Sequence, residues 1–225
     1  MLKDNVLRIL NEISCGNDRG EKITLVAATK TIGVDVINQA ISLGVTTVAE
    51  NKVQEFREKT ALLLPCSQHF IGHLQTNKVK YLVGNVDLIH SVDSEALALA
   101  IDLQAAKKGV IQDVLVEINA GGELSKSGFC LEDAETAVKK IADTFPHLRL
   151  KGLMAMMPPS GDTEYLGTLC GKMRALYDNM KNDGYPFEYL SMGMSGDYKT
   201  AIAHGSNMIR LGTALFGQRN YGEIK

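Results

Sequence analysis

The chain has little of what several classes of protein depend on. Its four cysteines lie far apart among 225 residues, with no CxxC pair and no histidine at metal-ligand spacing. This spacing of the cysteines excludes a disulfide framework and does not predict a metal site. The formal net charge is −2, so the strong positive field that draws a protein to nucleic acid is missing. No apolar run approaches the roughly 20 residues that a membrane-spanning helix requires. These absences predict a cytoplasmic protein that binds neither nucleic acid nor membrane.

Two familiar nucleotide-binding patterns are missing as well. No GxGxxG motif follows the first apolar run, which excludes the dinucleotide-binding fingerprint, and no P-loop pattern occurs along the chain. The chain also shows no linker, low-complexity tract or internal repeat. We therefore expect residues 1–225 to form a single domain.

The chain does contain a regular alternation of apolar runs and helical patterns. After an amphipathic first helix, eight short apolar runs occupy residues 23–28, 46–49, 69–72, 88–92, 114–118, 148–156, 189–192 and 208–211. Between them, helical patterns cover residues 34–43, 52–64, 94–107, 131–144, 164–182 and 198–203. Near-continuous apolar runs are typical of parallel strands that are buried on both faces. Eight alternating units predict an α/β fold, a single (β/α)8 TIM barrel with an extra N-terminal helix.

The most informative segment is MIRLGTALFG at residues 208–217. Its apolar run breaks at Gly212 and Thr213, where a strand end turns into a helix and backbone N–H groups with a hydroxyl can hold an anion. Arg210 lies inside this run, where a charge is costly unless it is paired or bound. A second loop of the same type holds Ser195, after the seventh run. Since barrels often hold phosphate after strands seven and eight, the two loops predict a phosphorylated ligand.

Polar residues follow other strands and should meet at the same mouth. Lys30 follows the first run, where desolvation and a nearby cation would favour its neutral, nucleophilic amine; the alternative is an ordinary solvated lysine. Asn51 follows the second run and either donates to a ligand hydroxyl or caps the next helix. His73 could stack on a ring or serve as an acid/base group, with a structural histidine as the alternative, and Lys126 could bind a phosphate, with a solvated loop lysine as the alternative. A mouth lysine, an inward arginine and a two-loop phosphate site resemble the parts of a pyridoxal-phosphate pocket.

Seven collinear segments carry a resemblance to a known family. They are LVAATKT (25–31), AENKVQE (49–55), HFIGHLQTNK (69–78), SKSG (125–128), GLMAM (152–156), SMGMS (191–195) and IRLGTALFG (209–217). With them, the chain resembles the YggS/PROSC family of pyridoxal-phosphate homeostasis proteins, which is related to the barrel domain of alanine racemase (fold type III). The resemblance covers nearly the whole chain. At Gly196-Asp197-Tyr198 the chain departs from the pattern of many relatives, which have two acidic residues and then an aliphatic one. The resemblance therefore does not predict the rim of the phosphate loop, although it does predict the site itself.

The resemblance implies six residues that bind pyridoxal 5'-phosphate. They are Lys30, Asn51, Ser195, Arg210, Gly212 and Thr213. Lys30 would form an aldimine with the cofactor, Arg210 would face the pyridine nitrogen, and Asn51 would lie near the ring hydroxyl. The other three would bind the phosphate. Lys126 would be a secondary contact with the cofactor, and His73 is a weaker match because relatives can hold proline there. No catalytic residue or metal ligand is implied.

The chemistry of Arg210 bears on whether the protein turns a substrate over. An arginine only donates, so it would keep the ring nitrogen unprotonated and the ring a poor electron sink. Racemisation also needs acid/base groups on both faces of the substrate carbon, and Lys30 would supply one. In alanine racemase the other is a tyrosine from the partner subunit's second domain, for which 225 residues leave no room. Tyr198 is a conceivable substitute, with surface packing as the alternative.

We therefore expect a cytoplasmic, monomeric protein that acts in pyridoxal-phosphate homeostasis. It would store, buffer or deliver the cofactor through the Lys30 aldimine, without robust turnover of a substrate. The resemblance leaves open a transient contact with pyridoxal-phosphate-dependent apoenzymes. Two other functions also stay open. One is a small pyridoxal-phosphate-dependent racemase or lyase that acts on an amino acid. The other is a phosphosugar-binding barrel enzyme that uses Lys30 as a different kind of Schiff-base lysine.

Overall fold

Strand pairing closes the sheet into a barrel. The computed structural model describes residues 1–123 and 126–218 of the predicted domain, which spans residues 1–225. Its strands are β1 Thr24–Ala28, β2 Thr47–Glu50, β3 Ser67–Phe70, β4 Leu88–Val92, β5 Gln112–Asn119, β6 Phe129–Cys130, β7 Leu148–Ala155, β8 Tyr189–Ser191 and β9 Met208–Leu211. Eight pair in parallel in the order β1-β2-β3-β4-β5-β7-β8-β9, and β9 pairs with β1, which closes the ring. The short β6 pairs with the end of β5 and is not part of the ring. The predicted (β/α)8 barrel is confirmed.

Helices connect most of the strands and surround the ring. They are α1 Leu2–Glu12, α2 Val34–Ser42, α3 Val53–Lys59, α4 Glu95–Lys108, α5 Ala134–Thr144, α6 Thr163–Asn182, α7 Tyr198–Ala203 and α8 Thr213–Phe216. The bounds of α4 follow from its local sequence. The Ser94 hydroxyl accepts the Leu97 N–H at 3.3 Å at the start, and Gly109 ends the helix with φ +66°.

Apolar side chains fill the ring and the layer between ring and helices. The cluster inside the ring consists of Val26, Ala49, Leu88, Leu115, Met154 and Met208. Because successive side chains of a strand point to opposite faces, Leu25 and Ala27 pack outward against the helices. The extra N-terminal helix is confirmed and belongs to this outer layer, since Val6 and Ile9 of α1 are fully buried there with Leu215 of α8.

The third strand begins two residues ahead of the predicted run. It spans Ser67–Phe70, because Ser67 continues the parallel pairing with β2. The Ser67 hydroxyl finds a partner in the Asp87 carboxylate, to which it donates at 2.8 Å. A search for apolar runs misses such a residue, since a hydrogen-bonded polar side chain also fits the inside of a strand. Because β3 covers Ser67–Phe70, His69 lies within the strand and His73 lies in the loop that follows it.

Candidate functional site

The carboxyl ends of the barrel strands surround a cavity of about 480 Å³. The residues predicted to bind the ligand all line it: Lys30, Asn51, Ser195, Arg210, Gly212 and Thr213. The two secondary positions, His73 and Lys126, line it too. Residues distant in sequence meet here because the carboxyl ends of parallel strands share one face of the ring. The structure thus gathers the whole predicted set, while the roles of these residues toward a ligand stay predictions.

Arg210 reaches the cavity from β9 and is buried. Its Nη1 donates to the carbonyl oxygen and the hydroxyl of Ser191 at 2.8 and 2.7 Å, and its Nη2 donates to the carbonyl oxygen of Ala155 at 2.9 Å. Burial lowers the pKa of Arg210 to about 10, so the guanidinium keeps its charge at neutral pH. Described residues use three of its five N–H donors, which leaves the Nε–H and one Nη2–H for a ligand.

The loops after β8 and β9 meet where phosphate binding is predicted. The Ser195 hydroxyl oxygen accepts the N–H of Gly212 at 3.3 Å and the N–H of Ala214 at 3.1 Å, at the start of α8. Gly193 lets the first loop approach closely: it has φ +98°, and an added Cβ would lie 2.8 Å from the Ala201 Cβ. Ser195, Gly212 and Thr213 therefore line the same part of the cavity, and the Ser195 oxygen, which accepts these two N–H groups, can still donate its own proton to an anion.

Lys30 follows β1 and is half-buried at the cavity wall. The next residue, Thr31, has φ +66°, a left-handed conformation that is strained for a β-branched side chain. The Glu55 carboxylate holds this turn by accepting the Thr31 N–H at 2.7 Å. Lys59 Nζ in turn lies 2.8 Å from both Glu55 and the buried Glu50. This Glu50–Lys59–Glu55 network was not predicted, because its members come from β2 and α3 and meet only in the folded chain.

The same network also holds the residue before Lys30. Lys59 Nζ donates to the Thr29 carbonyl oxygen at 3.0 Å, and the Thr29 hydroxyl donates to Glu50 Oε1 at 2.7 Å. Burial raises the pKa of Glu50, and the bonds from Lys59 and Thr29 oppose that rise. The backbone on both sides of Lys30 is thus tied to a buried charged cluster, which fixes the point from which the lysine side chain extends.

The Asn51 residue lines the cavity and does not cap the following helix. Helix α3 begins at Val53 with Lys52 in the N-cap position and no side-chain cap bond, so the interpretation of Asn51 as a helix cap is wrong. Its Oδ1 is buried and has no hydrogen-bond partner within the described part of the chain. Gly72 packs against the same residue, and an added Cβ there would lie 2.0 Å from the Asn51 carbonyl oxygen. A buried amide oxygen without a partner is costly, which marks a place where a ligand would bond.

Glu117 is a cavity residue that was not assigned a role from sequence. It lies in β5, is 7% exposed, and lines the cavity. No side-chain hydrogen bond links it to another described residue. Burial, and then the negative charge of Asp93, raise its pKa to about 7, while Arg210 and His73 oppose the rise. The signal that could have found it is the one that found Arg210, a charge inside an apolar run.

Of the three remaining predicted residues, His73 and Lys126 line the cavity and Tyr198 does not. His73 is exposed, and its Nδ1 lies 3.0 Å from Asp93 Oδ2. Lys126 is exposed on the loop after β5, while Ser125 of the SKSG motif lies outside the described residues. Tyr198 donates to Glu12 of α1 at 2.6 Å and does not line the cavity, so its alternative as a packing residue is the one observed.

Two general absences hold for the described residues. No helix in residues 1–123 and 126–218 is long and apolar enough to cross a bilayer. Over the same ranges, no group of three or more His, Cys, Asp or Glu side chains is arranged to hold a metal ion.

Known proteins are similar to this chain in sequence and in fold. The family model described as "Alanine racemase, N-terminal domain" matches residues 3–220. A protein of Aquifex aeolicus named "Pyridoxal phosphate homeostasis protein" is 41% identical over 207 residues, which cover 90% of this chain and 90% of that protein. The solved structure of PipY from Synechococcus elongatus, with PLP bound, has a TM-score of 0.84 at 27% identity and covers 96% of this chain and 100% of that one. An alanine racemase of Clostridium difficile shares the fold, with a TM-score of 0.80 at 18% identity over 97% of this chain and 58% of the racemase.

Proposed function

Because this chain belongs to the alanine racemase N-terminal domain family, and within it to the pyridoxal phosphate homeostasis proteins (YggS/PROSC), we propose that it binds pyridoxal 5'-phosphate and acts in the homeostasis of that cofactor. It stores, buffers or delivers the cofactor without robust turnover of a substrate, and residues 1–225 serve as one domain for this purpose. The observation that carries the proposal is the meeting of a lysine, a buried arginine and two anion-binding loops in one cavity.

The cavity suits pyridoxal phosphate in size, charge and hydrogen bonding. Its volume of about 480 Å³ falls in the usual range for small-molecule sites. The hydroxyl protons of Ser195 and Thr213, beside Gly212, suit the phosphate, and the remaining donors of Arg210 suit the pyridine nitrogen, which only accepts. The Asn51 amide, whose oxygen lacks a partner among the described residues, suits the ring hydroxyl. The aldehyde of the cofactor condenses reversibly with a primary amine, and Lys30 supplies that amine at the cavity wall.

Arg210 also supports holding the cofactor over catalysis. A guanidinium donates and does not accept, so Arg210 leaves the ring nitrogen without a proton. Enzymes that need a strong electron sink rely on a carboxylate at this position, which would keep the nitrogen protonated. A protein that binds the ring in its weaker form retains the cofactor reversibly and leaves its chemistry largely unused, as storage and delivery require.

The test is the absorption spectrum of protein that has been incubated with pyridoxal phosphate and then desalted. We would compare the wild type with Lys30→Ala and with Lys107→Ala, which removes an exposed lysine on α4 as a control. A visible band is expected in the wild type and the control and not in Lys30→Ala. Borohydride reduction followed by mass spectrometry should then place the cofactor on the Lys30 peptide. No band in any of the three proteins would overturn the proposal and point to another phosphorylated ligand, such as a phosphosugar.

A pyridoxal-phosphate-dependent amino-acid racemase or lyase is the second candidate, and one observation favours it. Glu117 lines the cavity from β5, which stands opposite β1, the strand that precedes Lys30, in the eight-stranded ring. With a pKa raised by burial to about 7, Glu117 can hold or release a proton near neutral pH. Racemisation needs two acid/base groups, and these two residues would supply them. Loss of amino-acid α-proton signals in D2O, seen for wild type and abolished in Glu117→Gln, would establish this function; no exchange by the wild type leaves cofactor binding as the function.

We further propose a cytoplasmic monomer that meets pyridoxal-phosphate-dependent apoenzymes transiently. Its four cysteines are free thiols, which suits a reducing compartment. Light scattering should give the mass of one chain, 24.5 kDa. Delivery by contact is tested by reactivation of an apoenzyme, which should be faster in direct mixture than across a dialysis membrane that passes only free cofactor. Equal rates in the two arrangements would contradict delivery by contact.

A further inference from the structure

A line of hydrogen bonds runs through the interior of the barrel and ends on Arg210. Its members, in order, are Asp87, Ser67, His69, His90, Ser191 and Arg210. We call this line the relay. The distances between successive polar atoms are 2.8, 3.1, 3.0, 3.3 and 2.7 Å. Each is a hydrogen-bond distance, although the fourth is long, so that the line is continuous.

The relay connects the two ends of the barrel. Asp87 is exposed and comes directly before β4, at the amino ends of the strands, whereas Arg210 lines the cavity at the carboxyl ends. His69 and His90 lie between them on the paired strands β3 and β4, and both are buried. His90 shares its face of β4 with Leu88, which belongs to the cluster inside the ring. Two buried histidines beside the apolar cluster inside the ring need hydrogen-bond partners there, because an unpaired polar group in such a place is costly.

The chemistry of the two ends fixes the direction of every bond between them. Arg210 can only donate, so the Ser191 oxygen accepts from Nη1 and is free to donate its own proton to His90 Nδ1. At the other end Ser67 donates its proton to the Asp87 carboxylate, so the Ser67 oxygen accepts from His69 Nε2. Both conditions are met by one arrangement, in which each histidine carries its proton on Nε2.

The burial of the two rings is consistent with this arrangement. Burial lowers the pKa of His69 to about 4, and burial, then the neighbouring His69, lower the pKa of His90 well below its usual range. Both rings are therefore neutral at neutral pH, with one donor and one acceptor nitrogen each. If His90 carried its proton on Nδ1 instead, the Ser191 hydroxyl would lose His90 as the acceptor of its proton, and Ser67 would have to donate to His69 rather than to Asp87.

We propose that His69 and His90 are positioning residues, which carry one unbroken direction of hydrogen-bond donation from Arg210 to Asp87 and thereby hold the guanidinium toward the ring nitrogen of pyridoxal phosphate. The part of this inference that concerns the cofactor rests on the proposed function, whereas the proton positions on the two rings do not. The relay fixes the Ser191 hydroxyl as an acceptor for Nη1, and Ala155 fixes Nη2. The guanidinium then has one orientation, with its unused donors available to the cavity.

The proton positions are tested without any cofactor. A long-range ¹H–¹⁵N correlation spectrum of the full-length ¹⁵N-labelled protein at neutral pH reports which nitrogen of each ring carries a proton. His69→Gln and His90→Gln assign the signals, and the exposed His73 serves as a reference. Two neutral rings, both protonated on Nε2, are expected. A proton on Nδ1 of either ring, or a charged ring, would overturn the relay.

The effect on the cofactor is tested with an analogue that has a CH group in place of the ring nitrogen. The wild type should bind pyridoxal phosphate about tenfold more tightly than the analogue, because the analogue loses a charge-assisted hydrogen bond. His90→Leu cuts the relay and should reduce this preference to nearly one, while His90→Gln, which keeps a donor and an acceptor, should restore most of it. Leu115→Val removes packing from the same interior cluster and should leave the preference unchanged.

The outcomes separate the relay from the proposed function. A folded His90→Leu protein that keeps the full preference for the ring nitrogen would overturn the positioning role. Should His90→Leu not fold, Ser67→Ala breaks the line at its exposed end and must lower the preference in the same direction. If the wild type binds neither compound, the proposed function and the cofactor part of this inference both fail, while the nitrogen spectrum still decides whether the relay exists.

Discussion

The Thr31 N–H donates to the Glu55 carboxylate at 2.7 Å, and this bond holds the backbone just after Lys30 in a left-handed turn. Among the described residues, Thr31 is the one non-glycine residue with positive φ. Such a conformation costs a residue with a Cβ roughly 1–2 kcal/mol and persists only where its surroundings enforce it. The strain therefore lies next to the lysine that the proposed function depends on, and the Glu50–Lys59–Glu55 network enforces it.

Thr31→Gly is expected to stabilise the protein. Glycine adopts φ +66° without a steric cost, and this gain exceeds its own entropic cost, so the free energy of unfolding should rise by roughly 0.5 kcal/mol or more. Urea denaturation measures the change. Thr31→Ala is the matched control, because it removes the hydroxyl bond to the Lys30 carbonyl oxygen but keeps a Cβ. A glycine variant no more stable than the alanine variant would show that the turn is not strained.

Lys59→Met is expected to destabilise the protein strongly. The methionine fills similar space but leaves the Glu50 and Glu55 carboxylates facing each other without their shared cation, at positions largely out of water. Removal of one partner from a buried ion pair typically costs about 3–5 kcal/mol, which urea denaturation would show. Adding Glu50→Gln to Lys59→Met should recover part of the loss, because it removes the more deeply buried of the two charges.

The control for this substitution is an exposed lysine that makes similar bonds. Lys139 pairs with Glu135 and Asp183 at the surface, and an exposed pair is worth about 1 kcal/mol or less. Lys139→Met should therefore cost far less than Lys59→Met. Similar losses in the two variants would contradict the view that burial, rather than the ion pair itself, makes Lys59 important.

Local patterns revealed the parts of the site that local sequence determines. Arg210 stood out as a charge within an apolar run, and Gly212 stood out as a break between strand and helix. Both properties belong to a few neighbouring residues. The barrel followed in the same way, since eight apolar runs alternate with helical patterns. The secondary structure thus placed the predicted site residues at the carboxyl ends of the strands.

The remaining features depend on contacts between distant parts of the chain. Glu50 and Lys59 look like ordinary surface residues in sequence, and their burial follows from how α3 packs against β2. His69 and His90 are 21 residues apart and become a pair only because β3 and β4 are neighbours. Glu117 is different, since it carried the same signal as Arg210 and could have been assigned to the site. Its omission was an error of interpretation rather than a limit of the sequence.

Glu117→Gln is expected to change how stability depends on pH. Because burial raises the pKa of Glu117 to about 7, the folded protein keeps this proton where the unfolded chain, with a pKa near 4.5, has already released it. The stabilisation from Glu117 is therefore complete below about pH 4.5 and is lost as the pH rises through 7. The loss between pH 5 and pH 8 should be roughly 2–3 kcal/mol for this group. Glutamine does not titrate, so the Glu117→Gln variant should not show this loss of stability.

The measurement is a series of urea denaturation curves for wild type and Glu117→Gln between pH 5 and pH 8. The stability of the variant relative to the wild type should increase steadily with pH. Contributions from other buried groups, such as Glu50 and His69, occur in both proteins and cancel in the difference. A difference that is independent of pH would mean that Glu117 is ionised throughout the range, and that it cannot serve as a proton donor near neutral pH.

Ser195→Ala is expected to weaken the binding of pyridoxal phosphate and to spare that of pyridoxal, which lacks the phosphate. The Ser195 oxygen accepts the N–H groups of Gly212 and Ala214, which leaves its hydroxyl proton to donate to a phosphate oxygen. Loss of a hydroxyl that bonds to a charged oxygen should cost about tenfold in affinity. Ser42→Ala, an exposed position on α2, is the control and should affect neither ligand. Only pyridoxal phosphate has the phosphate group that Ser195 is expected to hold. Equal losses of affinity for the two ligands would therefore mean that Ser195 affects the shape of the cavity and does not bind the phosphate.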